Sequence, residues 1–236
     1  MPRYCYTDYA FISRDKAGLS ELKRLHNNLS KIMTKPSKAT NGFGPGYFEA
    51  LAKSHGLNPK DIPCDGAIIE IIQSTFSESL GFFTILTESA YSPKINLWNK
   101  IISQYKGVSF VYRAEEPGWD LFINTDERGE FYPDRFLLSV DCEDVTPTLP
   151  VFEGWGDNFF EKDDDAPPRI EVQEYFACFE ALQSYFADFT GKRIASIEEM
   201  NSYFDGINER CSDIGVNFNW TIVEYSAKAP ANLKAA

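Results

Sequence analysis

Residues 81–140 read GFFTILTESAYSPKINLWNKIISQYKGVSFVYRAEEPGWDLFINTDERGEFYPDRFLLSV, and the rest of the chain is best read outward from them. Gly81 to Thr87 is an apolar, β-branched run suited to a strand with a buried face. Ser92-Pro93 then reads as a helix start, with Ser at the cap and Pro at the first helical position. Ile95, Trp98, Ile101, Ile102 and Tyr105 recur at three- and four-residue spacing, one apolar stripe, and Gly107 is placed to end that helix. Val108 to Arg113 predicts a returning strand with Val108, Phe110 and Tyr112 on one side. Glu115-Glu116-Pro117-Gly118 predicts a type II turn, because Pro then Gly suits its two central positions. Trp119 to Asn124 reads as a further strand, Thr125 to Glu130 as a polar loop, and Phe131 to Val140 as the next strand.

Upstream, Tyr4 to Ser13 is a first strand. Lys16 to Met33 carries Leu19, Leu22, Leu25 and Leu29 at helical spacing. Residues 35–46 are a Gly/Pro/Ser/Asn loop. Tyr47 to His55 is a short helix, Asp65 to Phe76 a strand, and residues 77–79 the turn into Gly81. Downstream, Asp141 to Asp165 holds nine acidic residues against the single Lys162, with Pro147 and Pro150, and reads as a solvated connection. Ile170 to Ala177 is then a strand. Phe179, Leu182, Phe186 and Phe189 mark a helix closed by Gly191. Ser196 with Glu199 forms a capping box for another helix, and Val216 to Tyr225 is the last strand.

The fold expected is α+β: an antiparallel, ferredoxin-like sheet with helices packed on it, extended by a C-terminal strand-helix-helix-strand block. Residues 1–145 form the ferredoxin-like domain and 146–168 an acidic connecting segment. Residues 169–226 form the C-terminal block, packed on the same core, and 227–236 a disordered tail.

The chain of 236 residues has 15% aromatic residues and a net charge of −12. That balance disfavours a duplex nucleic acid or an anionic membrane as partner, and suits a basic protein partner or mimicry of nucleic-acid charge. No apolar run approaches the length of a spanning helix. Met1-Pro2-Arg3 leads into alternating aromatics, not the continuous apolar run of a secretory leader. The five cysteines, Cys5, Cys64, Cys142, Cys178 and Cys211, are widely spaced with no CxxC pair, which fits buried thiols in the reducing cytoplasm.

No nucleotide-binding, zinc-protease or nucleophile-elbow motif occurs, and no cofactor is read. His26 and His55 fit structural roles. Chemistry, if present, rests with carboxylates. Glu88, Glu115, Glu116 and Asp120 lie at strand ends or turns and are the catalytic candidates, as general acid and base or as divalent-metal ligands. Tyr91, Trp119 and Asp126 are candidate binding residues. Asp163, Asp164 and Asp165 are the metal candidates, though their order is not that of a calcium loop. Tyr91, Trp98, Tyr112, Trp119 and Phe122 would serve either as base-stacking platforms or, better, as core.

Four stretches carry a family resemblance: MPRYCY at the start, TESAYSP from Thr87 to Pro93, EEPG from Glu115 to Gly118, and NTDERGEFYPDRF from Asn124 to Phe136. They resemble the YubB-type family of bacterial, phage, plasmid and conjugative-element proteins with a ferredoxin-like domain. Tyr4 stands where that family has Trp, and Ser89 and Tyr91 where it has Thr and Trp. The resemblance covers the chain to about residue 140. It implies the fold and a mobile-element accessory role, and no particular activity. The expected function is a non-enzymatic cytoplasmic interaction protein of unidentified partner and oligomeric state. The alternatives are a metal-dependent hydrolase or nuclease built on the clustered carboxylates, and an acidic DNA mimic centred on Asp141 to Asp165.

Overall fold

The computed structural model describes residues 4–34, 46–77, 80–143, 145–160 and 169–228. The chain is α+β, with two antiparallel sheets in two compact units: Met1–Glu127 with Ser226–Ala236, and Arg128–Tyr225.

The first unit holds β1 (Tyr4–Ser13), α1 (Lys16–Met33), α2 (Phe48–Ser54), β2 (Gly66–Phe76), β3 (Gly81–Ala90), α3 (Ile95–Ile102), β4 (Ser109–Glu116) and β5 (Leu121–Asn124). The strand order is β2-β3-β1-β4-β5. The central β1 is flanked antiparallel by β3 and β4, with Phe11 opposite Phe83 and Phe110, and Tyr6 opposite Glu88 and Glu115. Because side chains alternate across a strand, these registers sort the residues into two faces. Cys5, Tyr9, Phe11, Phe83, Ile85, Tyr112 and Ala114 join a core with Leu22, Leu25 and Leu29 of α1 and Trp98 of α3. The opposite face carries Tyr4, Tyr6, Asp8, Glu88, Arg113 and Glu115.

Local chemistry sets the helix limits. Asp15 accepts the Gly18 N–H at 2.7 Å and caps α1. A Cβ on Gly18 would lie 2.5 Å from the Gly107 carbonyl oxygen, so α1 can approach the left-handed Gly107 (φ 77°) only through glycine. Helix α3 begins later than the Ser92-Pro93 pair suggests: Lys94 is its cap, and no side chain caps it. The reason is a tight turn at Tyr91 (φ 66°), closed by Ser92 N–H to the Ala90 carbonyl at 2.8 Å and Ser89 Oγ to the Ser92 carbonyl at 2.9 Å. The chain is still reversing when it reaches Pro93.

The EEPG turn also differs from expectation. Pro117–Trp119 is one turn of 3-10 helix, and the left-handed residue is Asp120 (φ 50°, ψ 37°), not Gly118. Asp tolerates that conformation better than most residues, so the reversal runs one residue longer than a type II turn and β5 starts at Leu121.

The second unit contains β6 (Phe136–Cys142), β7 (Ile170–Phe176), α4 (Phe179–Thr190), α5 (Ile197–Asp213) and β8 (Phe218–Glu224), in the order β7-β6-β8. Val140 lies opposite both Val172 and Trp220. The domain boundary expected near residue 145 therefore moves upstream, because Phe136–Cys142 is the central strand of this sheet. The C-terminal block shares a core with that strand and not with the first sheet. Residues 145–160 are more than a solvated connection: Val145, Val151, Phe152, Trp155 and Phe160 are buried there. Trp155 packs at a tilt against Phe189, 4.6 Å between centroids, and donates to Tyr203 Oη at 2.9 Å. Glu199 N–H reaches Ser196 Oγ at 3.2 Å, while Glu199 Oε2 accepts from Ala195 N–H at 3.0 Å, a capping box shifted by one residue on its return arm. The turn at 78–79, nearly all of the 35–46 loop and the tail from 229 onward lie outside the described residues.

Candidate binding surface at one end of the first sheet

Five strand termini meet at one end of the first sheet: β1 enters at Tyr4, β2 enters at Gly66, β3 leaves at Ala90, β4 leaves at Glu116 and β5 enters at Leu121. The turns beyond β3 and β4 place Tyr91, Trp119 and Asp120 at this end. Tyr4, Tyr6, Tyr91 and Trp119 are all exposed, Trp119 at 66%, and they account for most of the large exposed apolar side chains described. Tyr91 and Asp120 are also the non-glycine residues with positive φ among those described. A bulky side chain in that region is strained, and such strain persists only where surrounding structure imposes it.

On the face away from the helices, Glu88, Tyr6 and Glu115 form one row across β3, β1 and β4. Strand spacing sets the two glutamate backbones roughly 10 Å apart with the tyrosine between them. Burial, and then the Glu88 charge and its hydrogen bond, push the Tyr6 phenol above its ordinary value. One row deeper, Arg113 Nη2 lies 3.3 Å from Asp8 Oδ2, and Arg113 Nε lies 3.8 Å from Glu115 Oε1. Burial raises the Asp8 carboxyl, against the lowering effect of Arg113.

Glu116 occupies the other face, as its neighbour's exposure requires of alternating residues. It is 3% exposed, and its Oε2 has no hydrogen-bond partner. Beside it Cys5 Sγ lies 3.6 Å from Thr7 Oγ1, and burial pushes the Cys5 thiol up to about 11. Lys94, 6% exposed, donates to the Ala90 carbonyl at 2.9 Å and pairs with Asp65 at 3.2 Å.

The four catalytic candidates therefore do not share one pocket. Glu88 and Glu115 face one side, Glu116 is buried on the other, and Asp120 closes the turn. A cleft of about 610 Å³ lined by Tyr47, Glu49, Lys60, Asp61, Cys64 and Asp65 includes none of them. Of the binding candidates, Tyr91 and Trp119 sit at this end. Asp126 lies beyond the far terminus of β5, buried, its N–H bonded to Asn124 Oδ1 at 3.0 Å. Asp163, Asp164 and Asp165 lie outside the described residues. Among those described, no group of three or more His, Cys, Asp and Glu side chains is arranged to hold a metal ion.

Both histidines are held by local contacts. His55 bonds the Leu51 carbonyl at 2.9 Å and Tyr105 Oη at 2.8 Å, and His26 packs edge-on against Phe76 and Phe83. Burial lowers both imidazoles, so desolvation outweighs the helix-end preference for a cation at His55. Trp98, Tyr112 and Phe122 are buried and offer no stacking platform. The residues that sequence reasoning passed over are Tyr4, Tyr6, Asp8 and Lys94. The signal for the first three was present: in YCYTDY, even-numbered residues alternate with the core positions Cys5, Thr7 and Tyr9.

No protein-family model matches the chain, and no curated protein matches it. Two solved structures align over nearly the whole length. One is described as a "putative glycine cleavage system transcriptional repressor", with 9% identity, 94% of this chain and 98% of that chain covered, and a TM-score of 0.25. The other is an unknown protein from Galdieria sulphuraria, with 9% identity, coverages of 93% and 99%, and a TM-score of 0.25. Likeness at that level carries no argument about fold or function. No helix among the described residues is long and apolar enough to cross a membrane.

Proposed function

We propose that this chain is a non-enzymatic binding protein of the reducing cytoplasm, with its recognition surface at the Tyr4 and Trp119 end of a ferredoxin-like sheet. Two crossovers, β1-α1-β2 and β3-α3-β4, with strand order β2-β3-β1-β4, support the ferredoxin-like assignment, and β5 extends that sheet by one strand. The observation that carries the function is the clustering of exposed aromatics at this end, with Tyr6 set between Glu88 and Glu115. Exposed aromatic groups bounded by charge are the composition of recognition surfaces. The YubB-type resemblance makes the same chain a mobile-element accessory factor. The catalytic alternative has less support, since the carboxylates divide between two faces. The DNA-mimic alternative rests on an acidic stretch of which residues 161–168 lie outside those described.

The test is quantitative affinity capture from native lysate with the full chain and with a Tyr6→Ala/Trp119→Ala variant. A partner whose recovery falls at least about tenfold in the variant is expected, the scale of losing two aromatic anchors. Equal recovery by both proteins overturns the assignment.

A further inference from the structure

Resting on the binding role proposed above, we infer that the surface takes an arginine side chain of a basic, extended protein segment, the guanidinium lying on the Tyr6 ring between the Glu88 and Glu115 carboxylates. Three observations converge on a cation. The open face at this end holds three carboxylates, Asp8, Glu88 and Glu115, against the one guanidinium of Arg113. The Glu88 charge acts on Tyr6, and among the described residues no cation pairs with Glu88. The aromatic rings at this end, Tyr4, Tyr6, Tyr91 and Trp119, are exposed, and the face of such a ring attracts cations.

The sheet already contains the arrangement on a small scale. Arg113, in the Asp8 row, reaches Asp8 at 3.3 Å and Glu115 of the next row outward at 3.8 Å. That outer row sets Tyr6 between Glu88 and Glu115, with solvent above the ring. Arginine suits that slot better than lysine. Its planar guanidinium stacks on a ring while its edge donates to carboxylates on either side, whereas an ammonium is a compact, strongly hydrated point charge. The Tyr6 phenol, pushed up by burial and by the Glu88 charge, remains neutral and available for stacking. The alternative ligand classes fit poorly. Phosphate-bearing partners meet a net negative patch on a chain of net charge −12. A purely apolar partner would bury the two glutamates without compensation.

The test is a titration of the ¹⁵N-labelled full chain with a short peptide of alternating arginine and glycine. A matched peptide carries citrulline in place of arginine, and a single-stranded oligonucleotide serves as the anionic arm. Shifts should concentrate at residues 4–6, 88–91 and 115–120. The citrulline peptide should bind about tenfold more weakly or worse, and Glu88→Gln and Glu115→Gln should each weaken the arginine peptide by about five- to tenfold. Glu153→Gln and Asp157→Asn, acidic surface positions in the second unit, should leave it unchanged. Both glutamate substitutions are isosteric, and a retained melting temperature confirms that the fold is intact. Equal binding of the citrulline peptide, insensitivity to the glutamate substitutions, preference for the oligonucleotide, or shifts mapping elsewhere each overturn the inference. If the arginine peptide fails while Tyr6→Ala/Trp119→Ala still loses its partner from lysate, the binding role stands and the arginine assignment falls. If both fail, the binding role falls with it.

Discussion

The two units solve the same packing problem with different interiors. The core of Arg128–Tyr225 is close to a pure aromatic and aliphatic cluster. Phe152, Trp155, Phe186, Phe189, Phe204 and Phe218 meet at centroid distances between 4.6 and 6.5 Å. Of the buried polar side chains described, Thr190 is its member. The others, Thr7, Ser13, Thr87, Ser89, Ser92, Lys94, Glu116, Asn124 and Asp126, all belong to the first unit. Several of them line the helix side of the sheet at the end whose outer side carries Tyr6, Glu88 and Glu115. Buried polar groups cost free energy unless they are bonded, so an interior that keeps them is shaped by more than stability. The strained Tyr91 and Asp120 are at that same end. The buried polar side chains described thus concentrate in the first unit, and the aromatic interior is the mark of the second.

The largest expected effect tests the aromatic side of this contrast. Phe204 is fully buried, with Phe186 at 5.2 Å and Phe218 at 5.5 Å between ring centroids. Phe204→Ala should cost about 3–5 kcal/mol in urea denaturation, because the cavity has rings on several sides and cannot collapse fully. A cost below roughly 1 kcal/mol would show that the aromatic cluster repacks freely. Lys94→Met tests the other side. It keeps the stem and removes the buried ammonium, leaving the Ala90 carbonyl without that donor and Asp65 without its ion pair. A loss of about 2 kcal/mol is expected, the scale for a charged hydrogen bond whose partner stays behind. A neutral outcome would mean that this interior tolerates the same apolar substitutions as the second unit. Tyr91→Gly is smaller and opposite in sign. Relief of the left-handed conformation should raise stability by about 1 kcal/mol, and partner capture should weaken at the same time. A variant both more stable and fully competent in binding would separate the strain from the site.

Much of this architecture was legible in the residues, and the gaps have physical causes. Helix α1 was readable at its observed limits, since four leucines at helical spacing mark its buried face. The strands of the first sheet were readable from alternation and turn chemistry. What local pattern does not encode is pairing. Phe136–Cys142 looks like a strand whichever sheet it joins, and its partners Ile170–Phe176 and Phe218–Glu224 lie far along the chain. Residues 145–160 were misread for another reason. Counting acids hid the spacing of Val151, Phe152, Trp155 and Phe160, which anchor that stretch in the core. At the site, Glu115 and Glu116 were read as a pair, although period two assigns neighbours in a strand to opposite faces. Tyr6 was passed over because a tyrosine beside core aromatics resembles one of them until register is known.

The smallest effect is also the most selective, because the histidines His26 and His55 both lie in the first unit and the second has none. Burial holds both imidazoles below the ordinary value of 6.5. Above that value both are neutral, folded or unfolded, and contribute no pH dependence. As pH falls below it, the unfolded chain takes up protons first, so stability is lost from 6.5 down to the folded-state values and levels off beneath them. Asp8 works in the opposite sense: its raised carboxyl binds a proton first in the folded state and adds stability as pH falls. Melting followed between about pH 7 and pH 5 carries the histidine effect, and histidine-to-glutamine variants separate it from that of Asp8. Hydrogen exchange read separately at the amides of β1, β3 and β4 and at those of β6 and β8 should show protection falling with pH in the first group, after correction for the intrinsic rate. A His26→Gln/His55→Gln chain should flatten that dependence. If β6 and β8 lose protection equally and the double variant changes nothing, the pH response belongs to the surface carboxylates of both units and the contrast between the two interiors does not extend to titration.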